Sequence, residues 1–321
     1  MPADVSIRPY QATDESGLLQ VWNEAMWADP INELTWRSRY LLDPNFNAAE
    51  CPVAVEISTG KLIGFMLGFS AKSPGDRRVR GPDAWVVGFG VSEGRRRKGI
   101  GHALIDHLES RWSAAGIVRI EFGPYLPGYV SPGIDEVVYD DAIRFLTGIG
   151  AGTLSRPLSM SASLTGYQPF PRIADVTREL AESGISVRHC ESRNILPLLT
   201  FIDRHFPHWR GDATSVLADC FGGDPRFVTM HVAMEGDEIV GYAQSRHERF
   251  GPFGVNTSFR GRGVGAILLS RTLCAMRASG FHCAWFLWTS DRAAKLYRDH
   301  GFEEARRFAL MAKSIGSSRN P

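Results

Sequence analysis

The sequence lacks the features that mark several classes of protein. Its formal net charge is only +1, with 36 Lys and Arg against 35 Asp and Glu, so no overall field attracts it to nucleic acid or anionic lipid. Its longest apolar stretches, 84–91 and 283–288, are far shorter than the roughly 20 residues that a membrane-spanning helix needs. We therefore expect neither a nucleic-acid partner nor a membrane partner.

Cysteine is scarce as well. The five cysteines are scattered, and none lies in a CxxC pair or at a spacing from histidine that is typical of zinc sites. We therefore expect no metal site. We expect the cysteines to be small buried residues with free thiols, which suits a reducing compartment. The N-terminus has neither the basic nor the apolar segment of a secretory signal, which favours a cytoplasmic location.

The chain is long, and it contains more glycine than usual. Its 321 residues exceed the roughly 250–300 at which a single core stops growing, which favours two domains. Glycine accounts for 33 residues, or about 10% against a usual value near 7%, while the hydrophobic share of 44% is that of an ordinary globular protein. The positions of these glycines are therefore informative.

The two halves of the chain repeat one pattern. A shift of 164 residues aligns Val91 with Val255, Arg96 with Arg260, Gly99 with Gly263 and Gly101 with Gly265 without a gap. An accidental match between two unrelated halves is the less favoured alternative. We expect domains at 1–165 and 185–321, joined by a linker at 166–184 that contains a short amphipathic helix at 173–182.

Each half is predicted to be one sheet with helices on its faces, an α/β or α+β architecture. The apolar patterns predict five strands in the first half and six in the second, of which the last, 307–312, closes the second domain. Helices are predicted at 17–27, after Gly99, at 264–279 and at 290–300, the last with Ser290 as N-cap.

A basic glycine loop connects a strand to a helix in each half. The second copy is Val255-Asn-Thr-Ser-Phe-Arg260-Gly-Arg-Gly263-Val-Gly265, and the first is Val91-Ser-Glu-Gly-Arg-Arg96-Arg-Lys-Gly99-Ile-Gly101. Exposed N–H groups and a helix N-terminus suit a phosphate or pyrophosphate. Neither copy has the GK[ST] ending of a Walker loop, and the glycine spacing does not fit a Rossmann loop.

The motif Arg260-x-x-Gly263-x-Gly265, with its twin Arg96-x-x-Gly99-x-Gly101, resembles the signature of the GNAT superfamily of acyl-CoA-dependent N-acyltransferases. About 30 residues further on, Ala293-x-x-Leu296-Tyr297 resembles the family's second landmark. The resemblance implies two tandem GNAT-like domains, each a mixed, mostly antiparallel sheet flanked by helices, with acetyl-CoA as cofactor. It places the cofactor contacts at Phe253, Gly254, Val255, Arg260, Gly261, Arg262, Gly263, Val264, Gly265 and Ser290, and at Val91, Arg96, Arg97, Lys98, Gly99, Ile100 and Gly101.

The resemblance also implies that Tyr297 is the general acid that protonates the leaving thiolate. In the first half Leu146 stands at this position, so that domain is expected to be non-catalytic, in a layout similar to that of mycothiol synthase. Ser290 stands where the family often has Asn, which puts that cofactor contact in doubt. Glu248, beside His247, is the candidate base that would deprotonate the acceptor amine.

The predicted function is an acetyl-CoA-dependent N-acetyltransferase that acts on a primary amine of a small molecule or peptide, with the C-terminal domain active. The alternatives are a non-catalytic acyl-CoA-binding or sensor protein and a mycothiol-synthase-like acetyltransferase. The basic run Arg77–Arg80 is assigned to a CoA phosphate or a solvated loop. Trp288 is expected to pack in the core, and the rim of an acceptor pocket is the alternative for Trp288 and for Trp209. The chain is expected to act as a monomer, in which the two halves form the pseudo-dimer that single-domain relatives form from two copies.

Overall fold

The computed structural model of the chain describes residues 2–70, 84–125, 129–169 and 171–315. The basic run Arg77–Arg80 lies outside the described residues. The strands are β1 (Val5–Pro9), β2 (Pro52–Glu56), β3 (Leu62–Ser70), β4 (Ala84–Val91), β5 (Arg119–Phe122), β6 (Ile134–Asp135), β7 (Gly152–Ser155), β8 (Leu158–Ser163), β9 (Ile185–His189), β10 (Val228–Glu235), β11 (Glu238–Arg246), β12 (Arg249–Val255), β13 (Cys283–Thr289) and β14 (Glu303–Ser314).

Nine α-helices connect the strands in the described parts of the chain. They are α1 (Glu15–Ala25), α2 (Glu33–Trp36), α3 (Ile100–Ala114), α4 (Asp140–Gly148), α5 (Ile173–Glu182), α6 (Ile195–His205), α7 (Arg210–Gly222), α8 (Val264–Ala278) and α9 (Asp291–Arg298). The predicted linker helix is confirmed over its whole range. Ser290 is confirmed as the N-cap of α9, because its Oγ accepts a hydrogen bond from the N–H of Ala293 at 3.4 Å.

The chain divides into two compact units, and unit 1 comprises Met1–Pro157 with Arg307–Pro321. Its strands lie in the order β1-β2-β3-β4-β5-β14, with β7 also paired to β14. All neighbours are antiparallel except β4 and β5. Helix α3 buries Leu104, Leu108 and Trp112 against this sheet, the spacing that the sequence predicted.

Unit 2 comprises Leu158–Arg306 and repeats the arrangement. Its strand order is β8-β13-β12-β11-β10-β9, and again one neighbouring pair, β12 and β13, is parallel. Helix α8 corresponds to α3, and α5 packs against α8 and β9 through Leu180, which is buried. The predicted mixed, mostly antiparallel sheet flanked by helices is therefore confirmed in both units.

The division into units differs from the predicted domain boundaries, because the chain changes unit at Pro157 and again at Arg307. Strand β8 belongs to the first half of the sequence but pairs with β13 in unit 2, with Met160 opposite Phe286. Strand β14 pairs with β5 in unit 1, with Met311 opposite Phe122. The strand expected to close the second domain closes unit 1 instead, since a strand's own pattern does not specify its partner.

A buried histidine anchors α8 to its sheet. His231 of β10 is 2% exposed, and its Nδ1 lies 3.1 Å from Thr272 Oγ1 on α8. The Thr272 hydroxyl donates its proton to the carbonyl of Leu268, so its oxygen accepts from the Nδ1–H of a neutral imidazole. Burial, together with the nearby His189, lowers the pKa of His231 to about 3.

No helix in the described parts of the chain is long and apolar enough to cross a bilayer.

Truncation of Met311 should test the strand exchange. Met311 is 1% exposed in the core of unit 1, so Met311→Ala should cost about 2–5 kcal/mol and should lower hydrogen-exchange protection mainly in β1–β5. The matched variant Met276→Ala, in the core of unit 2, should lower protection mainly in β9–β13. Loss of protection in unit 2 on truncation of Met311 would contradict the assignment of β14.

His231 should make unfolding sensitive to acid. Because its pKa is lowered by folding, the unfolded chain binds the proton more readily below pH 6.5, and stability falls as the pH falls. Urea unfolding between pH 6.5 and pH 5 should show a loss of stability to which His231 contributes a slope approaching about 1.4 kcal/mol per pH unit at the lower end. His231→Gln should remove this contribution and leave that of His300, whose pKa burial also lowers. The exposed His282→Gln should keep the wild-type slope.

Candidate functional site

The second glycine loop begins where β12 ends and continues directly into α8. Gly261 and Gly263 have φ angles of +79° and +90°, left-handed values that allow the chain to reverse before the helix starts at Val264. Arg260 is exposed, and its Nε donates to the carbonyl of Val255 at 3.3 Å, which fixes the guanidinium beside the loop.

The loop of unit 1 has the same backbone. The Nε of Arg96 donates to the carbonyl of Val91 at 2.9 Å, as Arg260 does to Val255. Arg97 and Gly99 have φ angles of +59° and +81°, so they repeat the conformations of Gly261 and Gly263. A non-glycine residue in this conformation is uncommon, which indicates that the surrounding turn imposes it.

Both loops combine exposed cations with helix N-termini. The predicted contacts Arg260 and Arg262 are exposed in unit 2, as are Arg96, Arg97 and Lys98 in unit 1. Free N–H groups at the first turns of α8 and α3, with the positive ends of the helix dipoles, suit a phosphate group. Among the described residues no group of His, Cys, Asp or Glu could hold a metal ion.

Two neighbouring strands separate beside the second loop. Strands β12 and β13 share one pair, Arg249 with Trp285, and beyond it the described residues show no further pairing between them. On its other side β12 stays paired with β11 through Phe253, Gly254 and Val255. The edge of β12 toward β13 therefore offers backbone groups that an extended ligand could pair with. The cofactor contact that the resemblance implies at Phe253–Val255 stays a prediction.

The second glycine of each motif allows a close approach of helices. A Cβ on Gly265 would lie 3.2 Å from Phe253 and 3.4 Å from Leu296 of α9. A Cβ on Gly101 would lie 3.3 Å from Phe145 of α4, the residue that corresponds to Leu296. Gly265 thus allows α9, which carries Tyr297, to pack against the start of α8. Gly101 does the same for α4, which carries Leu146, at the start of α3.

Tyr297 lies in an aromatic enclosure. Its ring centroid is 4.4 Å from that of Phe286, and the rings of Phe250, Phe253 and Phe302 lie 5.6–6.2 Å away. The residue is 8% exposed, and burial raises the pKa of its phenol far above the usual range. The hydroxyl is therefore held in its protonated form, whereas the corresponding Leu146 of unit 1 is fully buried and carries no proton.

Glu248 lies in the hairpin between β11 and β12. Its Oε1 accepts hydrogen bonds from the backbone N–H groups of His282 at 3.3 Å and Cys283 at 3.4 Å. Hydrogen bonds from the Cys283 thiol and from these N–H groups lower the pKa of the carboxyl, which makes it a weaker base. The neighbouring His247 is exposed and stacks on Phe227, with ring centroids 5.2 Å apart.

A cavity of about 450 Å³ lies beside this hairpin. Helix α7, the end of β11, the start of β12 and Trp285 of β13 form its walls, and Glu248 lines it. Sequence reasoning missed Gln244, Arg249 and Asp212 in this cavity; the one available signal was Gln244, a polar residue within an apolar strand.

Neither Trp209 nor Trp288, the two tryptophans considered for the rim of an acceptor pocket, lines this cavity. Trp209 stacks on Phe206 with ring centroids 4.6 Å apart and packs over Gly254.

The linker helix flanks the second loop. A Cβ on Gly263 would lie 2.4 Å from Val176 Cγ1 of α5, so this helix packs on the last residue before α8. A Cβ on Gly261, by contrast, would meet nothing within 4 Å. One side of the loop is therefore closed by α5 while the other side is open.

Family models of acetyltransferases match both halves of the chain. A model described as the acetyltransferase (GNAT) family matches residues 18–124, and one described as an acetyltransferase (GNAT) domain matches residues 226–304. No curated protein matches the sequence.

Many solved structures share the fold. A GCN5-related glucosamine N-acetyltransferase region of a fungal multi-domain GH3 β-N-acetylglucosaminidase is 18% identical with a TM-score of 0.76, and the match covers 98% of this chain but only 38% of that chain. A GCN5-related N-acetyltransferase from Sphaerobacter thermophilus is 18% identical with a TM-score of 0.67, over 98% and 97% of the two chains. A tandem GNAT protein from the clavulanic acid biosynthesis pathway is 18% identical with a TM-score of 0.61, over 98% and 99%.

Alanine substitutions at two glycines should separate backbone strain from crowding. Gly261→Ala should lower the free energy of unfolding by about 1–2 kcal/mol, because alanine is strained at this positive φ although its Cβ would contact nothing within 4 Å. Gly263→Ala should cost more, because its Cβ also meets Val176, and Val176→Ala should recover that excess in a double-mutant cycle of urea unfolding. Equal costs at both glycines would contradict the packing of α5 on the loop.

Proposed function

The chain belongs to the GNAT superfamily of N-acetyltransferases, and from this premise we propose that its C-terminal half transfers the acetyl group of acetyl-CoA directly to a primary amine of a small molecule or peptide. The observation that carries the assignment to this half is Tyr297, a buried phenol where unit 1 has Leu146. Unit 1 keeps the phosphate-type loop but has no proton donor at this position, so we propose that it is non-catalytic.

The residues of unit 2 fit acetyl-CoA. The open side of the loop from Arg260 to Gly265 suits its pyrophosphate, since a Cβ at Gly261 would still meet nothing within 4 Å. The edge of β12 at Phe253–Val255, which has no partner strand toward β13 beyond the pair at Arg249, suits the amide groups of its pantetheine arm. When bound, acetyl-CoA supplies an acetyl group activated as a thioester.

Tyr297 supplies the proton that the leaving sulfur needs. As the acceptor nitrogen forms its bond to the acetyl carbon, the carbon–sulfur bond breaks and the sulfur takes the phenolic proton, while the nitrogen loses one proton to solvent or a base. A phenol is already protonated at neutral pH, since its ordinary pKa is about 10, and burial among four phenylalanines raises that pKa further. The raised pKa makes the phenol a weaker acid, so the transfer depends on direct contact between the hydroxyl and the leaving sulfur. The phenolate then recovers its proton from solvent, so the enzyme returns to its starting state.

Glu248 stays a prediction as the base. Its carboxylate lines the cavity in which the amine would lie, but its lowered pKa makes it a poor proton acceptor near pH 7. A carboxylate held in this way is better suited to attract the ammonium form of the acceptor before solvent removes the proton.

Replacement of the phenol should separate catalysis from binding. Tyr297→Phe should lower kcat by roughly 10²–10⁴-fold, the usual contribution of general acid–base catalysis, and should leave the Kd for acetyl-CoA nearly unchanged. Thiol release in the presence of amines measures the first quantity, and calorimetry measures the second. Tyr167→Phe removes a phenol from the linker and should leave both unchanged.

An unchanged kcat in Tyr297→Phe would show that the phenol is not the acid. Binding of acetyl-CoA without thiol release from any amine in the wild type would favour a non-catalytic acyl-CoA-binding protein. Calorimetric stoichiometry, with Gly263→Glu to block the second loop and Gly99→Glu to block the first, would show which unit binds.

A further inference from the structure

The cavity beside the Glu248 hairpin has chemistry that the proposed function does not yet use. It lies wholly within unit 2 and has a volume of about 450 Å³, enough for a small molecule. Its lining combines an amide, two carboxylates, two guanidinium groups and an indole, contributed by Gln244, Asp212, Glu248, Arg246, Arg249 and Trp285.

Gln244 is the most informative of these residues. It is 2% exposed, it lines the cavity, and its Oε1 has no hydrogen-bond partner among the described residues. A buried carbonyl without a donor costs about 1–3 kcal/mol, so a ligand or water that donates a hydrogen bond to it would stabilise the site. The missing group is an N–H or O–H donor.

The two arginines of the cavity differ in their partners. Arg246 is neutralised locally, because its Nη2 lies 2.6 Å from Asp219 Oδ2 and 2.8 Å from Ser215 Oγ. Arg249, at the start of β12, is half-buried, and the described residues give its guanidinium no hydrogen bond or ion pair. Its five N–H donors match a carboxylate or phosphate.

The carboxylates complete a dipolar lining. Asp212, in the first turn of α7, forms no ion pair within the described residues, and Glu248 has a single oxygen held by backbone donors. An ammonium group meets acceptors at Gln244, Asp212 and Glu248, while only Arg249 offers an uncompensated positive charge. A neutral or purely cationic amine would leave that charge unmatched.

We propose that this cavity receives the acceptor and that the acceptor is an amine that also carries an oxyanion group, with Gln244 accepting a hydrogen bond from its nitrogen and Arg249 binding its oxyanion. This inference rests on the proposed function, since it names the substrate class of the same site. Trp285, which is 36% exposed, provides an apolar wall for the carbon skeleton between the two groups.

Matched pairs of amines test the proposal. Thiol release from acetyl-CoA is measured with amino acids against their amides, and with aminoalkyl phosphates against the corresponding amino alcohols. The oxyanionic member of at least one pair should show a KM at least 10-fold lower, and the pair that responds identifies carboxylate or phosphate as the oxyanion. Equal KM values in both pairs would overturn the inference and leave the proposed function intact.

Variants assign the preference to residues. Arg249→Gln should abolish the difference within the responding pair through KM rather than kcat, and Arg249→Lys should restore part of it. Gln244→Leu should raise KM for both members, because it removes the acceptor for the nitrogen. Arg193→Gln, an exposed arginine that pairs with Glu191 outside the cavity, should keep the wild-type preference. A preference that survives Arg249→Gln would overturn the assignment.

A direct binding measurement separates failure of this inference from failure of the proposed function. If no amine releases thiol, the proposed function is wrong, and calorimetric titration of the same amines then decides the inference. Binding of the oxyanionic member that weakens at least 10-fold in Arg249→Gln would support it. Absence of such binding would overturn it together with the function.

Discussion

The separation of β12 from β13 is the constraint on which the rest of unit 2 depends. The two parallel strands share the pair Arg249–Trp285 and then part, so the sheet has an open edge in its interior rather than at its border. The glycine loop continues from one of these strands, and the helix with Tyr297 follows the other. The cavity beside the Glu248 hairpin lies at the point of divergence, since both members of the last pair line it. The glycine loop, the helix with Tyr297 and the cavity therefore all adjoin the region in which the two strands part.

The two units use the same framework but have specialised differently. In unit 2, α5 fills the groove beside α8 and β9, whereas in unit 1 the corresponding groove beside α3 is an open cavity of about 810 Å³. Equivalent positions of the two helices differ in polarity. Asp106 and Ser110 of α3 correspond to Ser270 and Cys274 of α8, and Ser270 is buried. The polar face of α3 is therefore suited to water, and the less polar face of α8 to a covering helix.

The sequence was informative wherever function depends on local backbone or a single side chain. The left-handed turns at Gly261 and Gly263 and the N-cap Ser290 each need particular residue types at fixed spacing, and such patterns can be recognised without a structure. Gln244 and Arg249, which we propose to contact the acceptor, could not be found in this way, because only the three-dimensional arrangement places both on one cavity and leaves the Gln244 Oε1 without a hydrogen-bond donor among the described residues. The exchange of β8 and β14 was hidden for a related reason: an apolar strand fits either sheet equally well.

That exchange also bears on how the protein is made. Unit 1 completes its sheet with β14, which contains Met311 and follows all the strands of unit 2 in the chain. During synthesis β14 is therefore made after the other strands of unit 1, and until then β5 lacks the partner with which Met311 and Phe122 pair it. Unit 2 already has β8 when its own strands appear. The usual order, in which the N-terminal domain folds first, is thus reversed for the final step, because the sheet of unit 1 becomes complete only after the strands of unit 2 have been made.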